Sequence, residues 1–404
     1  MTTAATATAP PAGSALTVTV CRDAHAFAAL GPRWAALHRR SPAATPFQSH
    51  PWLHSWWLSY GTPGRLRLVL VHQGPALVAA APLMLAYRPL PVLVPLGGPV
   101  SDFRDVLVDP GCPGAPAALL DGLRDAAAGA VIDLREVRPG GDAERLYRHW
   151  PGPRSRLCDS VCLELPGAPL ESLLDRLPGR QARRFRAKLR RLDALGVTER
   201  AVPADEVPDA VATLLRLHAL QWRGRGVTPE HLRPRFAEHL ARAARQMARA
   251  GEAAVTEYRL DGEVVATDVT LLSADLAGGY LYGAHPVLRE RKVDITTMLL
   301  RHDARQAAGS GRRVLSLLRG TEPYKLHWRP VPVTNQRLLL ARRRLAPALW
   351  WLTAQAVGRA ACAELARTRF PALRRWPARL AAWRPARPGA DTRPARSAGG
   401  AAPG

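Results

Sequence analysis

Short apolar runs with the alternation of β-strands occur in two separate stretches of the chain, and each stretch also contains one helical period. The first predicts strands and a helix in the order Leu66–Val71, Ala76–Leu85, Val92–Pro95, helix Ala115–Ala128 and Val131–Leu134. The second predicts Ala253–Leu260, Val264–Leu272, Gly279–Tyr282, helix Asp294–Ala308 and Val314–Leu318. Tight turns at Gly74-Pro75 and Asp261-Gly262 join the first two strands of each stretch. This repeated order predicts a duplicated α/β (α+β) unit with a mixed sheet.

Helical periodicity between the two stretches predicts bridging helices, and low-complexity composition predicts a tail at each end. The bridging helices are Glu171–Leu195, broken at Pro178-Gly179, then Asp209–Trp222 and Pro234–Ala250. The sequence therefore predicts five segments: a disordered tail at 1–16, an N-terminal domain at 17–165, bridging helices at 166–250, a C-terminal domain at 251–344, and a basic Ala/Arg/Trp/Pro-rich tail at 345–404.

Charge changes this picture only locally. The 404-residue chain carries a formal net charge of +24, yet Arg176–Arg191 has eight basic residues and no acid, and Ala341–Gly404 has thirteen Arg against two acids. These two segments together carry +19 of the net charge, so the rest of the chain carries only +5. The basic helix holds one aromatic residue, Phe185, and this makes a nucleic-acid partner an unfavoured interpretation. The tail mixes Trp with Arg, a pattern typical of peripheral contact with an anionic membrane.

Five scattered cysteines and the lack of a long apolar run favour a cytoplasmic protein without a disulfide framework. His50 and His54 share a helix face, and Cys158 and Cys162 are also four apart, but neither pair has a third ligand nearby, so no metal site is predicted. Neither cysteine has a neighbouring His in sequence that would activate it as an acyl-carrying nucleophile.

Two loops of the second stretch carry candidate chemistry. Arg289-Glu290-Arg291-Lys292 precedes the helix that Asp294 is expected to cap, and a helix N-terminus with basic side chains attracts phosphate. A solvated charged turn is the alternative. Arg319-Gly320-Thr321-Glu322-Pro323-Tyr324-Lys325 follows the last strand, where α/β proteins build sites. There Glu322 can accept a proton and Tyr324 can donate one, and a surface turn with an ion pair is the alternative.

The first stretch offers weaker candidates. An aromatic cluster is either a stacking platform or, as its helical spacing favours, part of the core: Phe47, Trp52, Trp56, Trp57 and Tyr60. Asp102 and Asp105 follow Gly97-Gly98, and they either bind an amine or cap the next element.

In their order, these motifs resemble the CelD/BcsL-like acetyltransferase family of the GNAT N-acetyltransferase superfamily. The resemblance extends from about Phe47 to Trp328. It rests on five motifs: Phe47-Gln48-Ser49-His50-Pro51-Trp52-Leu53-His54-Ser55-Trp56-Trp57, Gly98-Pro99-Val100-Ser101-Asp102-Phe103-Arg104-Asp105, Arg183-Arg184-Phe185-Arg186-Ala187-Lys188-Leu189-Arg190-Arg191, Leu217-His218 through Trp222-Arg223, and Arg319 to Lys325 with Trp328.

The resemblance implies two tandem GNAT-like domains and acyl transfer from acyl-CoA to an amine or hydroxyl of a small-molecule or cell-envelope acceptor. A backbone N–H near Tyr280–Gly283 would stabilise the oxyanion. In the mechanism expected for this reaction, Glu322 or Asp268 is the base, and Tyr324 or Tyr282 protonates the leaving thiolate. The expected donor-binding residues are Arg289, Arg291, Lys292 and Lys325, and the expected substrate-binding residues are Asp102, Asp105 and Arg186.

One departure from the family pattern leaves other functions open. GNAT enzymes usually hold the CoA pyrophosphate with a Q/R-x-x-G-x-G/A loop, and here both glycine positions are filled, by Lys292 and Asp294. The donor is then held by side chains, or it is aminoacyl-tRNA as in the related peptidoglycan aminoacyl transferases. A non-catalytic protein that binds nucleic acid or membrane is the remaining alternative. Because the first-stretch loop lacks a basic run, we expect a phosphate-bearing donor to bind the second half only.

Overall fold

The computed structural model of the protein describes residues 15–223 and 228–369. The predicted tails at 1–16 and 345–404 fall largely outside these residues. Thirteen strands occur in the described part: β1 Leu16–Cys21, β2 Leu66–Gln73, β3 Ala76–Tyr87, β4 Pro91–Pro95, β5 Leu107–Val108, β6 Val131–Val137, β7 Arg154–Pro166, β8 Thr198–Ala201, β9 Ala253–Leu260, β10 Glu263–Leu272, β11 Leu276–Ala284, β12 Val314–Arg319 and β13 Val331–Leu340.

Thirteen α-helices connect these strands within the same described ranges. They are α1 Ala24–Ala29, α2 Gly31–Arg40, α3 His50–Tyr60, α4 Ala115–Ala126, α5 Asp142–His149, α6 Leu170–Asp175, α7 Gly179–Ala194, α8 Val207–Gln221, α9 Pro234–Arg249, α10 Pro286–Glu290, α11 Ile295–Gly309, α12 Pro323–Leu326 and α13 Ala346–Arg369. No helix in the described ranges is long and apolar enough to cross a membrane.

All thirteen strands join one mixed sheet in the order β1-β2-β3-β4-β6-β13-β7-β12-β11-β10-β9-β8, with β5 paired to β3 off this path. The order reads alike from either end: β2, β3, β4 and β6 on one side correspond to β9, β10, β11 and β12 on the other. In both series the first three strands are antiparallel and the fourth is parallel to the third. This topology confirms the duplication that the strand pattern predicts.

The helices repeat in the same way. α4 lies between β4 and β6, and α11 lies between β11 and β12. α6 and α7 link the two repeats, as predicted. α8 and α9 come after β8 and before β9, which is the place that α1, α2 and α3 hold between β1 and β2. The second repeat thus spans β8 to β12, with two of the predicted bridging helices inside it.

The last strand of each repeat crosses to the other repeat. β7 follows the first repeat but pairs with β12, while β13 follows the second and pairs with β6. β7 and β13 are antiparallel partners over most of their length, from Val331↔Glu164 to Leu340↔Arg154. This exchange makes the two halves one continuous sheet, and the ion pair between Arg337 of β13 and Asp133 of β6 spans it at 2.7 Å.

Candidate active site

The second repeat opens where β11 and β12 separate. The two parallel strands pair only at Leu276↔Val314, Ala277↔Leu315 and Gly278↔Ser316, and beyond these residues β12 pairs with β7. β11 continues to Ala284 along β10, with Tyr280 as an extra, bulged residue between Leu281 and Gly279. The separation of the two strands leaves a gap in the sheet beside α11. A β-bulge changes the direction of nearby side chains, and bulges are common next to active sites.

A cleft occupies this gap and opens to solvent. Four residues that the sequence singles out line it, namely Asp268, Tyr282, Tyr324 and Lys325. The other lining residues are Gly279, Leu281, Thr296, Leu299, Leu300, Asp303, Ser316, Leu317 and Trp328. A mostly apolar cleft with a few convergent polar groups is the usual form of a small-molecule site.

Two buried carboxylates form the acidic end of the cleft. Thr270 Oγ1 donates to Asp303 Oδ1 at 2.8 Å and lies 3.3 Å from Asp268 Oδ2. Burial raises the pKa of Asp268 well above its usual range, and Asp303 adds to this rise. Burial also raises the pKa of Asp303. Sequence reasoning missed Asp303, because its position on α11 relates it to Asp268 only through tertiary packing.

His302, the neighbour of Asp303 on α11, faces the outer strands. Its Nδ1 lies 2.9 Å from Glu199 Oε2, and its Nε2 lies 3.1 Å from Thr256 Oγ1. Burial would lower the pKa of His302, but the hydrogen bond to Glu199 raises it overall. A polar row therefore runs under α11 from the cleft towards the outer edge of the sheet.

The loop Arg319–Lys325 places two of its three predicted groups, Tyr324 and Lys325, in the cleft lining, and leaves Glu322 outside it. Lys325 is buried, and its Nζ lies 2.9 Å from both the Arg319 carbonyl and Glu322 Oε2. Glu322 is half exposed and held in this ion pair, outside the residues that line the cleft. Tyr324 does line the cleft, and burial, together with the neighbouring Tyr282, raises the pKa of its phenol. The phenol therefore stays protonated at neutral pH.

The loop for which the sequence predicts phosphate binding, Arg289–Lys292, lies just ahead of α11. Arg289, Arg291 and Lys292 are exposed, and none has a carboxylate partner within the described residues. Asp294 caps α11 as predicted, accepting from Thr297 N at 2.9 Å, and Lys188 Nζ lies 2.5 Å from its other oxygen. Burial alone would raise the pKa of Asp294, but these bonds lower it to about 2. The helix N-terminus is thus already occupied by a carboxylate.

Lys292 adopts a left-handed backbone conformation (φ +58°), and it stands at the first glycine position of the Q/R-x-x-G-x-G/A loop pattern. A side chain in this conformation costs about 1–2 kcal/mol. We therefore expect Lys292→Gly to be more stable than Lys292→Ala by about 1 kcal/mol in urea unfolding, a reversal of the usual order. The same pair at Arg291, whose φ is −75°, is the control and should favour Ala. Equal stabilities at Lys292 would contradict this account.

The three predicted substrate-binding residues lie away from the cleft lining. Asp102 accepts from Arg319 N and Nε, both at 3.0 Å. Asp105 is buried and accepts from Asp142 N and Ala143 N at the start of α5, a helix further along the chain than the next element that the sequence suggested. Burial raises its pKa to about 8. Arg186 pairs with Glu171 and Asp175 on the surface.

The corresponding gap of the first repeat is filled. β4 and β6 pair only at Val92↔Val131 and Leu93↔Ile132, but the following loop enters the gap, with Arg104 N donating to the Glu136 carbonyl at 2.9 Å. Buried aromatic side chains hold this loop: Phe103 packs on Phe47, which also packs on Trp52. The aromatic cluster is therefore mainly core, and the open cleft is a property of the second repeat.

A histidine from α8 also reaches β11. His218 Nδ1 lies 2.8 Å from the Tyr282 carbonyl, and Gln221 Oε1 accepts from Ala284 N at 3.2 Å. Gly283 allows this contact, because a Cβ there would lie 2.2 Å from the Leu214 carbonyl. α8 therefore packs directly against the end of β11, at Tyr282 to Ala284. Within the described residues, no group of three His, Cys, Asp or Glu side chains is placed to hold a metal ion.

Comparison with known proteins agrees with this geometry. A family model described as "Acetyltransferase (GNAT) domain" matches residues 179–326, from the start of α7 to the end of α12. The matched residues include every residue that lines the cleft except Trp328. No curated protein matches the chain.

Solved structures share the fold over most of the chain. FemX is 12% identical, covers 80% of this chain and 98% of its own, and has a TM-score of 0.57. A conserved protein of unknown function from Bacteroides thetaiotaomicron VPI-5482 is 12% identical, with coverages of 81% and 100% and a TM-score of 0.55. The C-terminal domain of a putative lysylphosphatidylglycerol synthetase from Agrobacterium fabrum is 13% identical, with coverages of 82% and 97% and a TM-score of 0.51.

Proposed function

We propose that the protein transfers an acyl group from acyl-CoA to an amine in the cleft between β11 and β12, and that it is a member of the CelD/BcsL-like family. The observation that carries this proposal is the separation of the two strands beside a buried carboxylate and a protonated phenol. The ordered motifs from Phe47 to Trp328 support the family assignment.

In the proposed reaction Asp268 is the base. The acceptor, bound as an ammonium, first loses one proton to solvent. The lone pair of the resulting amine attacks the thioester carbonyl carbon, and Asp268 takes the remaining N–H proton as the C–N bond forms. The tetrahedral oxyanion is stabilised by the Tyr282 N–H, which faces the same strand edge as its carbonyl, since both groups of one residue point to one side in an antiparallel pair. As the C–S bond breaks, the thiolate takes the phenol proton of Tyr324. Asp268 is a better base than Glu322, because Glu322 is ion-paired and half exposed.

Side chains, rather than a glycine loop, would contact the donor phosphates. Arg289, Arg291 and Lys292 are cations ahead of α11 without an ion-pair partner in the described part of the chain, whereas the Asp294 carboxylate already accepts a helix N–H. Charge-assisted bonds from such side chains bind phosphate without close backbone approach. The filled gap of the first repeat supports a single donor site in the second.

A second candidate donor, aminoacyl-tRNA, is favoured by one surface. Six arginines are exposed and unpaired among the described residues along and just before α7: Arg176, Arg180, Arg183, Arg184, Arg190 and Arg191. Arg180 to Arg191 spans roughly 16 Å of helix. α7 also borders the cleft, because Phe185 stacks on the lining residue Trp328 with ring centroids 4.1 Å apart. Such a stripe fits a phosphate backbone.

Two triple-alanine variants separate the donors. Replacing Arg289, Arg291 and Lys292 should raise the KM for acyl-CoA by at least about tenfold, since charge-assisted contacts are lost. Replacing Arg180, Arg183 and Arg184 should leave that KM unchanged. Thiol release from acyl-CoA with added amine is the measurement. If only the α7 variant matters, and it weakens binding of tRNA instead, the aminoacyl-tRNA donor is correct and the acyl-CoA donor is not.

A further inference from the structure

We propose that the paired carboxylates of Asp268 and Asp303 bind an ammonium group at the inner end of the cleft. The inference rests on the proposed function and names the chemical class of its substrate, a primary amine on an apolar stem. The ammonium belongs either to the acyl acceptor or to an amino group on the transferred acyl chain. Both sources present the same chemistry to the site.

The pair is built into the floor of the cleft. Asp268 projects from β10 and Asp303 from α11, both are buried, and both line the cleft. Thr270 holds them from one side through its hydroxyl. Gly279 makes room for the second carboxylate, because a Cβ there would lie 2.6 Å from Asp303 Oδ2. The carboxylate therefore sits against the strand where β11 and β12 begin to part.

One oxygen of the pair lacks a donor. Asp268 is 3% exposed, and its Oδ1 has no hydrogen-bond partner among the described residues. A buried charged oxygen without a donor is costly, and such groups are normally satisfied by protein, water or ligand. An ammonium supplies three N–H donors and a positive charge at once.

The surrounding charges leave this end of the cleft acidic. His302 is a cation that lowers the pKa of both aspartates, and it is shared with Glu199, which also pairs with the exposed Arg305. Lys325, the basic residue of the cleft lining, bonds to Glu322 and to the Arg319 carbonyl. Counting a protonated His302, these groups remain one negative charge in excess when both aspartates are ionised. A bound ammonium removes that excess.

The rest of the lining suits an apolar stem. Leu281, Leu299 and Leu300 line the cleft together with the aromatic residues Tyr324 and Trp328. The leucine side chains can pack against a methylene chain, and the faces of the aromatic rings attract a cation. A neutral alcohol of the same length makes the same apolar contacts but cannot neutralise the carboxylates.

Butylamine and 1-butanol are therefore the matched probes, measured by calorimetry with the full-length protein at neutral pH and constant ionic strength. We expect butylamine to bind at least about tenfold more tightly than 1-butanol, and Asp303→Asn to abolish that preference. Asp275→Asn, which removes a carboxylate paired with exposed Arg313, should keep the preference. Thr270→Val is the second variant if Asp303→Asn does not fold, and it should reduce the preference. Equal binding of the two probes, or a preference that survives both cleft variants, would overturn the inference.

Two further arms identify the source and separate this inference from the proposed function. If the ammonium is on the acceptor, butylamine binds in the presence of saturating free CoA, with which it cannot react; if it is on the acyl chain, an unreactive thioether analogue of β-alanyl-CoA displaces butylamine and free CoA does not. Each outcome supports the site. Thiol release from acyl-CoA without an amine preference would refute this inference alone. An amine preference without any thiol release would refute only the proposed function.

Discussion

Asp268→Asn should lower kcat for acyl transfer by about 10²–10⁴-fold, the usual contribution of a general base. The substitution keeps the shape of the side chain and removes its proton-accepting charge. Because burial raises the pKa of Asp268, the wild-type rate should rise with pH as this group loses its proton. Thiol release at saturating acyl-CoA and amine, measured across pH, gives both quantities.

Glu322→Gln is the matched control for this prediction. Glu322 is half exposed and paired with Lys325, so its loss should change kcat by less than about tenfold. The pH dependence should stay as in the wild type. A large loss in Glu322→Gln with an active Asp268→Asn would reverse the two assignments.

Arg337→Met should reduce the free energy of unfolding by about 3–5 kcal/mol, because it leaves the Asp133 carboxylate buried without its partner. Arg337 Nε and Nη2 donate to the two Asp133 oxygens at 2.7 and 2.9 Å, and the Asp133 side chain is 2% exposed. The pair joins β13 to β6 across the exchanged strands. Urea unfolding monitored by circular dichroism measures the change.

Arg313→Met provides the surface comparison for this pair. Arg313 is 80% exposed and paired with Asp275, so its loss should cost less than about 1 kcal/mol. The double variant Asp133→Leu/Arg337→Met should recover most of the stability, since it removes both buried charges. Similar losses for the two single variants would show that the β13–β6 pair has no special role.

The regular part of the fold could be predicted from local pattern. Ala253–Leu260 matches β9 at both ends, and the Asp261-Gly262 turn lies where predicted, with both residues at positive φ. Asp294 caps α11 as its position suggests. These features depend on alternation, turn chemistry and capping, which are encoded within a few residues.

The exchange of β7 and β13 could not be predicted in this way. β13 carries Asn335, Gln336 and Arg337 in its middle, so its pattern is not that of an apolar strand. Asn335 is nevertheless buried and donates to Glu136 Oε2 at 3.0 Å. Such a strand is stabilised by contacts with residues about 200 positions away, which no local window contains.

Only part of the candidate site could be predicted, because some of its residues come together only through tertiary packing. The sequence predicts four of the residues that line the cleft, because they lie on strands and loops of the second repeat that match the order of motifs in the resemblance: Asp268, Tyr282, Tyr324 and Lys325. The sequence also offers Asp102 as an amine-binding or capping residue, but its carboxylate pairs with Arg319. Asp303 was missed because it lies within an amphipathic helix, where a polar residue normally faces solvent.

Amide hydrogen exchange with and without saturating acyl-CoA tests the central claim most directly, namely that the donor binds the open cleft of the second repeat. We expect slower exchange in peptides that cover 279–297 and 319–328, with no change at 91–106, where the first repeat's gap is filled. Protection at 91–106, or none at 279–297, would contradict the account.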